Sequence, residues 1–254
     1  MIERSNQESI EKLKGVILAG GLGSRLEPLT RIINKHLLPI WNKPMICYPL
    51  MTLVEAGIKD IMIVTGGNNA GDFLKLLGNG KEFGLKHLYY TYQKEEKGIA
   101  DALSYAEDFA KDSRIVVILG DNIIEEPIKK YIKRFLKQPK GARILIKKVD
   151  NPQRFGVLQL KGKKIISIEE KPKKPKSNYI VTGIYMYDKD VFDIIKNLKP
   201  SRRNELEITD VNNVYLNNGL LEYDILDGFW TDCGTFESLL RANNLIADKY
   251  YKKR

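Results

Sequence analysis

Three short runs of apolar residues, each followed by a glycine, constrain the fold of this chain more than any other feature of its sequence. They span residues 15–19, 61–65 and 114–119. Continuous apolar runs of this length are typical of strands buried on both faces of a parallel sheet. Between them, residues 44–56 and 98–108 have helical spacing. The apolar stripe of the second helix consists of Ile99, Ala102, Leu103 and Ala106. The first half therefore predicts a β-α-β-α-β unit in an open, doubly wound α/β sheet.

The second half has a different pattern. Residues 156–160 and 165–168 flank a Lys-Gly-Lys turn, which predicts a β-hairpin, and residues 179–187 and 221–226 predict further strands. A final helix is expected to begin at Thr235. Its apolar face is predicted to contain Phe236, Leu239, Leu240, Ile246 and Tyr250, and its C-terminal end Lys252, Lys253 and Arg254, where the helix dipole favours cations.

The charge of the chain narrows its partners. Among 254 residues, 42 Lys and Arg against 32 Asp and Glu leave a net charge of +10, which suits nucleic acid, an anionic membrane or phosphorylated small molecules. No run approaches the ~18 apolar residues of a membrane helix. The basic residues are not concentrated with aromatics on one helix, so nucleic acid is not expected as a partner. The Lys-Pro segment 171–176 is interrupted by prolines, and Lys173, Lys174 and Lys176 are interpreted as a solvated connection.

The N-terminus and the cysteines indicate a cytoplasmic protein. Residues 1–14 contain three glutamates and no apolar central region, so they do not resemble a secretory signal. We expect a short helical extension there, capped by Ser5 or Ser9. Cys47 and Cys233 form no Cys-x-x-Cys motif, which favours two reduced thiols over a metal site or a disulfide.

A glycine-rich turn follows the first predicted strand. Gly20, Gly21 and Gly23, next to Ser24, allow backbone N–H groups to approach an anion, and a helix N-terminus after the turn is expected to add positive potential. The segment is neither a dinucleotide fingerprint, because Leu26 replaces Gly or Ala, nor a P-loop, because Ser24-Arg25 replaces Lys-Ser/Thr. A tight strand-to-helix turn is the alternative.

Two cations after this turn, Arg25 and Lys35, favour a triphosphate as its ligand, because such a ligand needs positive charge around its terminal phosphates.

Two aspartates are candidates for a magnesium site. Asp121 follows the third buried strand, at the edge where open α/β sheets bind ligands, and Asp232 lies near the end of the chain. Together they would supply two carboxylate ligands to Mg²⁺, which prefers a few carboxylates plus phosphate oxygens and water. For Asp121 alone, the alternative is a helix cap or a turn residue.

Several motifs, in order, resemble the sugar nucleotidyltransferase family. Residues 20–30 resemble the signature of that family, and residues 34–45 are similar to its glucose-1-phosphate thymidylyltransferase branch, in the short form. Similar motifs follow at residues 120–122, 154–157, 169–172, 176–179, 181–183, 205–210 and 232–235. The resemblance covers nearly the whole chain from Lys14 onward.

The resemblance implies a fold, an activity and a setting. The implied fold is the three-layer, doubly wound, Rossmann-like mixed sheet of nucleotide-diphospho-sugar transferases, with additional sugar-binding β-hairpin segments. Residues 1–13 would be an extension, and residues 14–254 a single domain with a nucleotide-binding half to about 122 and a sugar-binding half from about 123. The implied reaction is Mg²⁺-assisted transfer from dTTP to α-D-glucose 1-phosphate, giving dTDP-glucose and pyrophosphate. A cytoplasmic homo-oligomer, dimer or tetramer, serving dTDP-rhamnose and polysaccharide synthesis is also implied.

The resemblance also assigns residues to roles. Arg25 and Lys35 would bind the triphosphate, Gln93 and Gly98 would read the pyrimidine base, and Asp121 and Asp232 would hold Mg²⁺. Asn122, Gly156, Glu170, Val181 and Trp230 would form the sugar pocket, and Lys171 and Arg203 would contact the sugar phosphate. The groups expected to act in catalysis are Arg25, Lys35 and Lys171, through neutralisation of charge.

Four departures and two alternatives accompany this assignment. His36 and Asp101 stand where many relatives have Gln, Phe155 where many have Tyr, and Cys233 where many have Thr or Ala. A UTP-dependent enzyme, or one for another sugar, is the alternative within the class, since thymine differs from uracil by one methyl group. A non-catalytic sugar-nucleotide sensor is the alternative from another class.

Overall fold

A nine-stranded mixed sheet forms the centre of the molecule. The structure, a computed structural model, describes residues 10–67 and 70–251. The strands of the described residues are β1 (Lys14–Ala19), β2 (Pro39–Ile40), β3 (Lys43–Pro44), β4 (Asp60–Gly66), β5 (His87–Gln93), β6 (Ile115–Leu119), β7 (Asn122–Ile124), β8 (Ala142–Lys148), β9 (Gly156–Lys161), β10 (Lys164–Glu170), β11 (Tyr179–Tyr187), β12 (Leu221–Ile225) and β13 (Trp230–Asp232). The helices are α1 (Cys47–Ala56), α2 (Ala70–Leu77), α3 (Ile99–Ser104), α4 (Glu107–Ala110), α5 (Lys129–Lys137), α6 (Val191–Lys196), α7 (Ile208–Asn217) and α8 (Phe236–Tyr251).

The strand order forms a crevice at the carboxyl ends of two central strands. The order is β10-β9-β11-β6-β1-β4-β5, and β8 and β12 extend from β11. β6, β1, β4 and β5 run parallel, whereas β11 pairs antiparallel with β6. The chain passes from β1 to β4 and β5 and then returns to the other side of β1 as β6. Connections leave β1 and β6 in opposite directions, so the carboxyl ends of these two strands form the crevice where open α/β sheets bind ligands.

Helices cover both faces of the sheet, because alternate residues of its central strands point to opposite sides. Ile17 of β1 packs in one core cluster, which includes residues of α1, α2 and α5. Its neighbours Val16 and Leu18 pack in a second cluster, with residues of α3, α6 and α7. The structure therefore confirms the predicted three-layer, doubly wound mixed sheet, and the predicted hairpin is β9–β10.

Two predicted helices have different bounds in the structure. The helix predicted over 44–56 begins at Cys47, because the N–H groups of Met45 and Ile46 donate to the carbonyl oxygens of Leu38 and His36 instead of starting a helix. The helix predicted over 98–108 is divided into α3 and α4. Ala106 N–H donates to Leu103 O, an i to i+3 bond that tightens the chain and ends the regular helix.

The final helix is confirmed, but its predicted apolar face is partly wrong. Thr235 caps it, because Thr235 Oγ1 accepts a hydrogen bond from Ser238 N–H at 3.3 Å. The buried side carries Leu239, Ala242 and Ile246, whereas Phe236, Leu240 and Tyr250 are 45%, 62% and 42% exposed. This helix lies at the edge of the molecule and packs mainly on β2 and β13, so only one narrow stripe is covered. The predicted caps Ser5 and Ser9 and the basic end 252–254 lie outside the described residues.

Three 3-10 turns and a two-stranded ribbon position the catalytic candidates outside the main sheet. Residues 24–26, 29–31 and 35–37 form short 3-10 turns after β1. β7 and β13 form a separate two-stranded ribbon in which Asp232 stands opposite Asn122. Cys47 and Cys233 are both free, as predicted, and both are buried. Within the described ranges, no helix is long and apolar enough to cross a bilayer.

Candidate active site

One cavity of about 410 Å³ opens at the carboxyl ends of β1 and β6. Its lining comes from both halves of the chain and includes fifteen of the residues predicted to form the site. These are Gly20, Gly21, Arg25, Lys35, Gln93, Gly98, Asp121, Asn122, Gly156, Glu170, Lys171, Val181, Arg203, Trp230 and Asp232. Gly23 and Ser24, predicted to bind nucleotide, lie outside this lining.

The glycine turn makes room for side chains rather than preceding an α-helix. A Cβ atom at Gly23, whose φ is +71°, would lie 2.9 Å from Cβ of Lys35, and one at Gly21 would lie 3.3 Å from the Lys35 ammonium. The turn continues into the three-residue 3-10 turn Ser24–Leu26. The expected helix N-terminus is therefore absent at this point, and the expectation of a helix dipole here was wrong. Positive charge near the turn comes from the side chains of Arg25 and Lys35.

Asp121 is held in its ionised form by a lysine. Lys35 Nζ donates to Asp121 Oδ2 at 2.7 Å, and both side chains are mostly buried. Burial alone would raise the pKa of Asp121, but the charge and the hydrogen bond of Lys35 together hold it well below its usual range. Lys35 thus contacts both the glycine turn and one predicted metal ligand.

Asp232 meets Asp121 through the ribbon of β7 and β13. Cys233 N–H donates to Asp121 O at 2.9 Å, which fixes the two backbone segments side by side. Burial raises the pKa of Asp232, and the negative charge of Asp121 raises it further. Arg154 Nη2 donates to Asp232 Oδ2 at 2.9 Å and opposes this effect. The Asp232 carboxylate therefore senses the charge of Asp121, and each of the two carboxylates has a cation as its partner.

This donor set fits a divalent cation that keeps open coordination positions. The described residues contain no group of three or more His, Cys, Asp or Glu that would enclose a metal. Two converging carboxylates, Asp121 and Asp232, are what Mg²⁺ uses when phosphate oxygens and water complete its shell. Asp121 lies in the turn between β6 and β7, as the alternative prediction had it, but a turn position alone does not account for its contacts with Lys35 and with the Asp232 segment.

Asn122 connects Asp121 to Gly183 and Trp230, which also line the cavity. Its Nδ2 donates to Asp121 Oδ1 at 3.0 Å, and its Oδ1 accepts from Gly183 N–H at 3.0 Å and from Trp230 Nε1 at 2.7 Å. Trp230 is buried and packs edge-on against Phe155. Trp230 therefore both packs in the core and lines the cavity.

The part of the cavity around Glu170 carries carboxylates facing cations. Glu170 Oε2 accepts from Thr209 Oγ1 at 2.5 Å, while its Oε1 lies 3.7 Å from both Lys171 Nζ and Arg203 Nη2. Arg203 Nη2 also donates to Glu207 at 2.8 Å. A Cβ atom at Gly156 would lie 3.0 Å from Thr209 Oγ1, so a side chain there would enter this pocket. The arrangement offers both acceptors for hydroxyl groups and donors for a phosphate.

Several lining residues were not predicted as site residues, among them the titratable groups Arg154, His36 and Glu96. Arg154 stands in a recognised motif but carries no signal of its own, because its partner Asp232 is 78 positions away. His36 is buried, and burial together with the charge of Lys35 lowers its pKa to about 3, so it is neutral near pH 7. Glu96 accepts a hydrogen bond from the backbone N–H of Leu22 in the glycine turn.

Comparisons with known proteins agree over most of the chain. The family model described as nucleotidyl transferase matches residues 14–249. Glucose-1-phosphate thymidylyltransferases of Neisseria meningitidis and Mycolicibacterium smegmatis are each 44% identical over 238 residues, covering 92% of this chain and 82% of theirs. A crystal structure from Bacillus anthracis, assigned as a glucose-1-phosphate thymidylyltransferase and bound to a sucrose, has a TM-score of 0.89 and 53% identity, covering 93% of this chain and 96% of its own. UDP-glucose pyrophosphorylase with UDP-glucose has a TM-score of 0.81 and 28% identity, covering 95% and 99%.

Proposed function

This chain belongs to the nucleotidyl transferase family, and we propose that it joins dTTP to α-D-glucose 1-phosphate, giving dTDP-glucose and pyrophosphate. The observation that carries the proposal is the shared cavity. Arg25, Lys35, the two aspartates, Glu170 and the cations beside it all line this cavity, and we assign the first four to the nucleotide and the others to the sugar phosphate. The chain is 44% identical to thymidylyltransferase relatives but only 28% identical to a UDP-glucose pyrophosphorylase. This difference supports dTTP over UTP as the nucleotide substrate.

The reaction is a direct displacement at phosphorus. An oxygen of the sugar phosphate forms a bond to the α-phosphorus of dTTP, while the bond from that phosphorus to the bridging oxygen breaks and pyrophosphate leaves with the electron pair. The attacking oxygen already carries negative charge near neutral pH, so no residue has to remove a proton. The main obstacle is repulsion between two anions. The chain therefore contributes by holding and neutralising the reactants.

The positions of four basic side chains support this role in neutralising the phosphates. Lys35 lies between the glycine turn and Asp121, so its ammonium can neutralise phosphate oxygens held on the turn. Arg25 lies beside Gly234 and Asp232, and its charge lowers the pKa of Asp232. Lys171 and Arg203 flank Glu170, where they would hold the sugar phosphate while the carboxylate accepts from sugar hydroxyl groups. A sensor that only binds product would not need this concentration of paired charges.

We propose Asp121 and Asp232 as the ligands of Mg²⁺, which when bound supplies positive charge next to the phosphates. Support for this assignment comes from the two carboxylates, which line the same cavity, and from the charge of Asp121, which raises the pKa of Asp232. Lys35 and Arg154, which contact these carboxylates in the structure, would then be available to the phosphates.

A pyrophosphate-release assay tests the proposal. dTTP, UTP, CTP, GTP and ATP are each combined with several sugar 1-phosphates, with and without Mg²⁺. We expect the highest kcat/KM with dTTP and glucose 1-phosphate, and only with the metal. A preference for a purine triphosphate, or no release with any pair, would contradict it.

Substitution of the two aspartates tests the metal assignment. Asp121→Asn and Asp232→Asn should each lower kcat by about a thousandfold, since each removes a charge that acts on the transferring phosphoryl group. Asp248→Asn, an exposed carboxylate on α8, serves as the matched control. Near-normal release of pyrophosphate by either site variant, with Mg²⁺, would refute this assignment.

We also propose a cytoplasmic homo-oligomer, a dimer or a tetramer. Two observations support it: Cys47 and Cys233 are free and buried, and Trp41 and Tyr251 expose neighbouring rings, with centroids 5.5 Å apart, that a second copy can cover. Sedimentation equilibrium measures the mass. A monomer at all concentrations would contradict the oligomer.

A further inference from the structure

A buried glutamine in the cavity has its amide oriented by an acidic neighbour. Gln93, the last residue of β5, is 5% exposed. Its Nε2 donates to Oδ2 of Asp101, in the first turn of α3, at 2.7 Å. Its Oε1 points the other way, because a Cβ atom at Gly20 would lie 2.7 Å from it. Gln93 and Gly20 both line the cavity.

The chemistry of the pair allows only one orientation of the amide. An ionised carboxylate accepts hydrogen bonds and donates none, whereas an amide has a donating end and an accepting end. Turning the Gln93 amide around would place its carbonyl oxygen against the carboxylate and leave a buried repulsive contact. We infer that Asp101 is a positioning residue, which keeps the carbonyl oxygen of Gln93 facing the nucleotide.

The first turn of α3 is anchored, so Asp101 can act as a fixed support. Ala100 N–H donates to Leu206 O at 3.1 Å, and Leu206 N–H donates to Lys97 O at 2.7 Å. Gly98, with φ +102°, lets the chain approach Leu206, since a Cβ atom there would lie 2.4 Å from the carbonyl oxygen of Leu206. Ser104 Oγ donates to the Asp101 carbonyl oxygen at 2.7 Å.

A fixed acceptor selects one class of pyrimidine. Thymine and uracil carry a ring N–H at position 3 that can donate to Gln93 Oε1. Cytosine has an unprotonated nitrogen at that position, so two acceptors would face each other and neither would be satisfied. Asp101 thus supports discrimination against cytosine and does not separate dTTP from UTP. This inference rests on the proposed function, in which Gln93 reads the base.

The test compares two nucleotides in three proteins. We measure kcat/KM for dTTP and dCTP, and the Kd of both by calorimetry, in the wild type, in Asp101→Asn and in Asp108→Asn. Asn at position 101 has nearly the same shape but can donate as well as accept, so the Gln93 amide becomes free to turn. Asp108 is an exposed carboxylate on α4 and provides the same substitution away from the cavity.

We expect the dTTP-to-dCTP ratio of kcat/KM to fall by about tenfold or more in Asp101→Asn, with an absolute rise for dCTP. Asp108→Asn should keep the wild-type ratio. A purely structural role of Asp101 would lower both values together and leave the ratio unchanged, and that result would overturn the inference. If the wild type uses neither dTTP nor UTP, both the proposed function and the inference fail; if it does and the ratio does not move, only the inference fails.

Discussion

Asn122 is the residue whose loss should most clearly reveal how the site is held together. It is buried, and its side-chain oxygen is the acceptor for two N–H groups, those of Gly183 and of the Trp230 indole. Its amide nitrogen holds Asp121. Asn122→Ala removes all three contacts and changes no charge.

The expected cost follows from the two donors left without an acceptor. A buried N–H that loses its partner costs about 1–3 kcal/mol, so the two together cost about 2–6 kcal/mol. The site borders the cavity, so water can reach the vacated space and we expect the lower half of this range, about 3 kcal/mol. For a chain of this size, each 1 kcal/mol lowers Tm by about 2–4 °C, which predicts a fall of about 6–12 °C.

A double-mutant cycle with Trp230→Phe isolates one of the two bonds. Once the indole N–H is gone, loss of the Asn122 oxygen should cost less, with a coupling free energy of about 1–2 kcal/mol. Urea unfolding followed by far-UV circular dichroism measures the free energies without relying on tryptophan emission. Asn217→Ala, an exposed asparagine at the end of α7, should change stability by less than about 0.5 kcal/mol. Additivity of the two substitutions within error, or an Asn122→Ala variant as stable as this control, would refute the reasoning.

Three further predictions concern charge in the cavity. His36 has a pKa lowered to about 3 in the folded protein, so the unfolded chain takes up this proton first as the pH falls. The free energy of unfolding should therefore decrease by about 1.4 kcal/mol for each pH unit below about pH 6.5. His36→Gln should remove this dependence between about pH 6 and 4, and equal slopes of the two proteins in urea unfolding would contradict the prediction. The Glu96 carboxylate accepts a hydrogen bond from the backbone N–H of Leu22 and adds negative charge next to the glycine turn. Because this charge repels a triphosphate, Glu96→Gln should lower KM for dTTP about two- to fivefold in steady-state assays, and a raised KM would contradict the prediction. Arg154 lowers the pKa of Asp232, so Arg154→Gln should move the acidic limb of the kcat/KM profile to higher pH; an unmoved limb would exclude this effect.

The strands that the sequence predicts from continuous apolar runs are those whose burial is nearly complete on both faces. β1, β4 and β6 lie in the centre of the sheet, so their residues are apolar on both faces and appear as continuous runs. β5 was missed as a strand, because it lies at the edge and its burial is mixed, with only Gln93 classed as buried. The ribbon of β7 and β13 was also missed, since three-residue strands are specified by what they pack against rather than by their own pattern.

The site divides in a similar way. Local motifs point to the glycine turn, to Asp121 and to Asp232, because the backbone geometry and the charges at those positions are typical of phosphate and metal binding. The partners of these groups are set by tertiary structure: Lys35 contacts Asp121 across 86 positions, and the Gln93–Asp101 bond depends on how α3 packs. Periodicity carries no information on such pairs.

The distribution of charge supports the proposal of a divalent cation in this cavity. The chain has a net charge of +10, yet among the described residues five basic and six acidic side chains line the cavity, so the lining is slightly negative when His36 is neutral. The positive excess therefore lies on the rest of the molecule, where it can attract anionic substrates over a distance but cannot neutralise them at the point of reaction. Inside, Lys35 and Arg154 are each engaged by an aspartate. Two anionic substrates can react there only if additional positive charge enters with them, and a divalent cation on Asp121 and Asp232 would both supply it and release the two basic side chains to the phosphates.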